Sequence, residues 1–130
     1  ACTGARWPEL GGSKRPQPWG EEPPTSRRAN LDGERGGGVA AGSLAGGDSA
    51  WGCRQMIGNV WEWTSSDFLP FAGFSADPYE DYSRPWFGSH FALRGRSFAT
   101  RDRLAHPKFR NFYLPERTDI FAGFRTCAPE

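Results

Sequence analysis

The chain has 130 residues, a formal net charge of +1, 24% charged residues and 15% aromatic residues. That length is one domain or part of one, the near balance of charge leaves no broad field for nucleic acid or an anionic membrane surface, and no apolar run approaches the ~20 residues that a bilayer span needs. With 17 glycines and 11 prolines among six Trp and ten Phe, the composition points to a loop-rich fold pinned by rings and away from a helical bundle.

In chain order, Ala1 is not a natural start, so the sequence reads as a fragment or processed product. The first residues lack a basic region followed by an apolar core, so they do not read as a secretory signal. Pro16, Pro18, Pro23 and Pro24 preclude a continuous helix. Trp19-Gly20 reads as an anchor followed by a turn. Gly36-Gly37-Gly38 and Gly46-Gly47 read as flexible turns or linkers. No Lys-Ser/Thr follows those glycines, so they do not form a phosphate-cradling loop. Cys2, Cys53 and Cys127 are odd in number and contain no C-x-x-C. That argues against a disulfide framework or structural zinc, and for a reduced, cytoplasmic setting.

The run from Gly52 to Thr64 is the most informative stretch. A Gly58-Asn59 turn precedes an apolar strand in which alternation puts Val60 and Glu62 on one side and Trp61 and Trp63 on the other. Phe68 to Phe74 is aromatic but broken by Pro70 and Gly73, a loop that packs by its rings. Asp77 to Tyr82 is expected to form a short helical turn with Asp77 as cap and Pro78 at its first position. His90 to Gly95 reads as a strand, continued by Ser97 to Thr100 after a bulge. Phe109 to Tyr113 and Ile120 to Arg125 are the remaining strands or extended loops, and Gly123 allows a neighbour to approach closely. The fold class expected is α+β with much irregular structure.

Three motifs in order carry a family resemblance: Gly58-Asn59-Val60-Trp61-Glu62-Trp63-Thr64, Leu93-Arg94-Gly95-Arg96-Ser97-Phe98 and Ala122-Gly123-Phe124-Arg125. The chain resembles the formylglycine-generating-enzyme (sulfatase-modifying factor) superfamily, which implies a C-type-lectin-like fold, loop-rich with short antiparallel strands. Gly47 to Ile57, Tyr82 to Gly88 and Phe109 to Arg117 narrow the likeness to the C-terminal lobe of ergothioneine-pathway iron-dependent sulfoxide synthases. These join the sulfur of cysteine or γ-glutamylcysteine to hercynine with O2, and selenoneine synthases are related. The resemblance treats residues 1–130 as the C-terminal part of one such domain, with 1–27 poorly matched. It departs at Arg96, where the family usually has glycine, so the turn there differs or the arginine points outward.

The resemblance also implies roles. Asn111 contacts hercynine, and its amide can donate and accept toward a zwitterion. Alternatively it ties down a loop backbone. Phe112 and Tyr113 offer an aromatic wall for a quaternary ammonium, or serve as rings under a loop. Arg117 pairs with a donor-substrate carboxylate, or with Asp119 or Glu116 on the surface. Arg110 and Arg125 are expected to be structural. Gln55, Gly58, Val60 and Glu62 are the positions of a structural calcium in related domains, an all-oxygen set; alternatively Glu62 bonds backbone amides or an arginine. The family's Fe(II) is held by histidines of a separate N-terminal helical domain. His90 and His106 lack ligand-like spacing, so the iron ligands are not expected in this chain and the chain alone is expected to be inactive. Catalytic residues are not assigned. The expected partners are hercynine, cysteine or γ-glutamylcysteine and the iron-binding helical domain, with no nucleic acid and no membrane. A ligand-binding module without chemistry on the same scaffold is the alternative.

Overall fold

A computed structural model describes residues 15–126 of the chain. Four short strands, β1 (Trp61–Asp67), β2 (Phe91–Arg94), β3 (Asn111–Tyr113) and β4 (Ala122–Gly123), form one sheet in the order β3-β2-β1-β4. β2 runs antiparallel to both β1 and β3, with Glu62 opposite Arg94, Trp63 opposite Leu93, Ala92 opposite Phe112 and Leu93 opposite Asn111. β4 pairs parallel with β1, Trp61 opposite Ala122, so the sheet is mixed where short antiparallel strands are expected. The remaining helical structure among the described residues is single 3-10 turns at Ala45–Gly47, Glu80–Tyr82, Arg84–Trp86 and Asp102–Leu104. No described helix is long and apolar enough to cross a membrane.

Several elements differ from expectation for local reasons. The strand after the Gly-Asn turn begins only at Trp61, because Gln55, Gly58 and Asn59 all have left-handed backbone. Ser97 to Thr100 closes a turn, with Thr100 N donating to Ser97 O at 3.0 Å, and does not continue β2. The acidic helical turn starts at Glu80 with Tyr79 ahead of it and no side-chain cap, so Asp77 caps nothing. Of the paired indoles, Trp61 is buried and Trp63 half-buried. Cys53 is disulfide-bonded, which corrects the expectation of a chain without disulfides; Cys2 and Cys127 lie outside the described residues.

Two groups of buried side chains hold these pieces. Ala29, Leu31, Ile57 and Ala105 form one cluster, against which Trp19 packs. Trp19 is thus the anchor expected, and its indole N–H donates to Glu22 O at 2.9 Å. Around the sheet, Leu93 is fully buried, and Phe68 stacks on Phe112 at 4.2 Å and tilts against Phe87 at 5.1 Å. Arg110 lies over Phe68 and Phe71 and donates to Leu69 O, fastening the aromatic loop to β3.

The Gly58-Asn59 turn is where separate segments meet. Gly58 N donates to Gly95 O at 2.7 Å, Asn59 N to Asn30 O at 2.9 Å, and Asn59 O accepts from Phe98 N at 2.9 Å. Asn59 Oδ1 accepts from Val39 N at 2.7 Å and from the buried Asn30 amide at 3.2 Å, while its Nδ2 donates to Val39 O. The glycine-rich segment expected to be flexible is therefore pinned along its length. Gln55 Nε2 donates to Ala40 O, and Arg54 donates to Gly42 O while holding Asp48 through two bonds of 2.7 Å. These bonds hold the half-buried Asp48 carboxyl below the usual carboxylate range.

Arg125 closes the same region from the C-terminal side. Its Nε donates to Glu62 Oε2 at 2.7 Å and its Nη2 to Glu62 Oε1, with further bonds to Arg54 O and Gln55 O. Gly123 lets β4 lie close to Val60, whose Cγ2 would stand 3.3 Å from a Cβ there.

Gly58→Ala is expected to cost at least about 2 kcal/mol, because position 58 has φ +83° and an added Cβ would fall inside the radius of Asn30 O. Denaturant unfolding with an unchanged m-value measures it. Glu62→Gln keeps the shape but removes the charge facing Arg125. A loss of roughly 1–2 kcal/mol is expected from weakening two charge-assisted bonds at a site where Glu62 is only 16% exposed.

Candidate functional site

β3 is an edge strand, and alternation along it separates its three side chains. Asn111 and Tyr113 share one face, and Asn111 Nδ2 donates to the Tyr113 hydroxyl at 3.2 Å. Asn111 Oδ1 accepts from Phe112 N at 3.0 Å, so this amide also ties its own backbone. Phe112 faces the other way, stacked on Phe68 and edge-on to His90 at 5.7 Å. Its ring is part of the aromatic packing and does not line the Asn111 face.

After β3 the chain turns, with Arg117 N donating to Leu114 O at 3.1 Å. The turn returns the Arg117 guanidinium to a point 5.0 Å from the Tyr113 ring centroid. Both ends of its fork bond Asp119, Nε to Oδ1 at 2.6 Å and Nη2 to Oδ2 at 2.7 Å. The surface ion pair weighed as the alternative for Arg117 is thus present. These bonds hold the exposed Asp119 carboxyl below its usual range and push the Arg117 guanidinium up. Asn111, Tyr113, Arg117 and Asp119 form one continuous polar chain along the sheet edge.

Next to it, Trp63, Phe91 and Pro115 line an open apolar hollow of about 320 Å³. Register places it on the same face, since Phe91 stands opposite Tyr113 and Trp63 opposite Leu93, itself opposite Asn111. Trp63 and Phe91 are missed by sequence reasoning. The signal that finds them is cross-strand register, and short strands joined by long loops do not announce it.

The candidate calcium positions do converge. Gln55, Gly58, Val60 and Glu62 line one cleft of about 300 Å³ together with Phe124 and Arg125. Gln55 Oε1 is buried without a hydrogen-bond partner, as a cation ligand would be. However, both Glu62 oxygens accept from Arg125, so the carboxylate is already neutralised. The donor set as arranged, with Arg125 on both Glu62 oxygens, does not fit a divalent ion.

No group of three or more His, Cys, Asp or Glu among the described residues is arranged to hold a metal ion. His90 precedes β2, with its ring against Trp86 at 5.1 Å and its Nδ1 bonded to the Ser89 hydroxyl. His106 is exposed and accepts from Lys108 N at 3.2 Å.

Comparison with known proteins gives this geometry a context. The sulfatase-modifying factor enzyme 1-like domain matches residues 3–129. Hercynine oxygenase of Mycobacterium tuberculosis is 45% identical over 126 residues, covering 96% of this chain and 29% of its own length. The hercynine oxygenases of Mycolicibacterium smegmatis and Mycolicibacterium thermoresistibile are 41% and 42% identical over 130 residues, covering 96% of this chain in each case. The chain spans only 28–30% of the length of the curated relatives it matches. The mixed sheet, the scarcity of helix and the near full-length match agree: the chain belongs to the sulfatase-modifying factor enzyme 1-like (FGE-sulfatase) family.

Proposed function

We propose that this chain is the substrate-binding part of an ergothioneine-pathway enzyme that joins a thiol donor to hercynine. The observation that carries the reading is the convergence of Asn111, Tyr113 and Arg117 on one face of the sheet edge, in a chain whose curated relatives are named hercynine oxygenases.

The chemistry of the ligands suits these groups. Hercynine is a zwitterion with a carboxylate, a trimethylammonium and an imidazole. Asn111 offers both a donor and an acceptor to such a molecule. The hollow formed by Trp63, Phe91 and Pro115 gives the methylated nitrogen an apolar, aromatic surface, worth on the order of 0.5–2 kcal/mol by cation–π attraction. The donor thiol, cysteine or γ-glutamylcysteine, carries a carboxylate that matches the Arg117 fork. Asp119 holds that fork in the absence of ligand, so donor binding is an exchange of one carboxylate for another. Iron and O2 would supply the oxidation, from a histidine-bearing helical domain that is the proposed partner. The residues here bind and orient.

Calorimetric titration of the chain with hercynine tests the reading. Saturable binding is expected, with Asn111→Ala weakening it by about tenfold or more, the loss of a hydrogen-bonding group on a charged ligand. An undiminished Kd in Asn111→Ala, or no binding by the wild-type chain, contradicts it. A second titration concerns the donor. Asp119→Asn removes the competing anion and is expected to tighten cysteine binding roughly two- to fivefold, the scale of an exposed ion pair. Arg117→Lys is expected to weaken the same binding.

A further inference from the structure

Arg96 is out of place for a surface turn. It is 2% exposed and its backbone is left-handed at φ 80°. Such a conformation costs an L-residue roughly 1–2 kcal/mol and costs glycine nothing. Among the described residues no carboxylate meets its guanidinium. Instead Nη2 donates to the carbonyls of Leu104 and His106, and the planar group lies 3.9 Å from the Phe109 ring centroid and 5.4 Å from that of Trp61. Burial, and then the charge of nearby Arg94, push its pKa down to about 10. Of the two expectations at this position, a different turn or an outward side chain, the second is not met: Arg96 is buried at the cost of both desolvation and backbone strain.

What it holds is a single segment. Arg94, two residues earlier, donates to Pro107 O and Lys108 O. Between them the arginines bind four carbonyls in the run from Leu104 to Lys108, and Arg96 also holds Phe109. Asn111 follows two residues later and opens β3, a strand of three residues. So short a strand has little register of its own, and the placement of its first residue follows from where the preceding segment is fixed.

We infer that Arg96 is a positioning residue for the Asn111 face: it clamps residues 104–109 onto Trp61 and thereby sets where the Asn111 amide meets its ligand. The inference rests on the hercynine-binding reading above for its functional consequence, and on the clamp geometry alone for its structural one. A planar guanidinium that bonds two carbonyls through Nη2 while lying over the Phe109 ring and against Trp61 has no lysine equivalent.

Two variants and two readouts test it. Arg96→Lys keeps the charge and loses the planar group that lies over the rings. Arg96→Gly relieves the left-handed strain and loses every contact, and serves if the lysine variant does not fold. Hydrogen exchange of the Phe109 to Tyr113 amides is compared with that of the Trp61 to Thr64 amides in the same sample, so that global destabilisation is subtracted. Exchange in the first group is expected to rise about tenfold relative to the second. The Kd for hercynine, measured where the variant is fully folded, is expected to weaken about tenfold in both variants, as misplacement of a binding group by a fraction of an ångström does. Unchanged relative exchange in both variants overturns the clamp. Faster exchange with an unchanged Kd overturns the positioning role and leaves Arg96 merely structural. If the wild-type chain binds no hercynine, the functional reading fails, and the exchange comparison alone decides the clamp.

Discussion

The side-chain amide of Asn59 is the point through which this molecule is wired. Position 59 is left-handed at φ 71°, a conformation that Asn tolerates better than most residues. That backbone aims one amide at three groups, two on Val39 and one on Asn30. With Gly58 bonded to Gly95 and the main chain of residue 59 bonded to Asn30 and Phe98, segments far apart in sequence are joined at one turn. A domain with so little helix and strand has few ladders to satisfy its backbone. Side-chain amides and arginines take over that work.

The arginines divide the labour. Arg54, Arg94, Arg96, Arg110 and Arg125 each donate to main-chain carbonyls of a segment remote from their own. In a fold built of loops, a long side chain carrying five donors at its tip is an efficient crosslink. Among the described residues, Arg28 and Arg84 also pair with exposed carboxylates, each through one nitrogen, whereas Arg117 spends both Nε and Nη2 on the exposed Asp119, a partner that another carboxylate can replace.

Much of this was legible in the sequence where local chemistry decides. Gly58-Asn59 announces a turn before an aromatic strand, Trp19-Gly20 announces an anchor, and both are present. Arg110 and Arg125 hold structural positions as expected. Register was not legible: β4 pairs parallel to β1 over only two residues, and nothing in Ala122-Gly123 specifies direction. For the same reason Trp63 and Phe91 gave no sign that they lie beside Tyr113. Arg96 could not be read either, because its burial depends on Leu104, His106 and Phe109 being brought over it. The glycine-rich segment misled because composition reports the freedom of a chain and says nothing of the side chains elsewhere that remove it.

The Gly58-Asn59 turn with its neighbouring cleft and the candidate binding edge at β3 are therefore different parts of the domain. The cleft of Gln55 and Glu62 is closed by Arg125, whereas the Asn111 edge is open and flanked by an aromatic hollow. Backbone amide chemical shifts recorded during a titration with hercynine measure that separation directly. Shift changes are expected at Asn111 to Arg117 and at Trp63 and Phe91, with Gly58 and Asn59 unmoved. Changes centred on Gln55 to Glu62, with the Asn111 edge silent, would contradict the assignment of binding to β3 and move it to the cleft beside the Gly58-Asn59 turn.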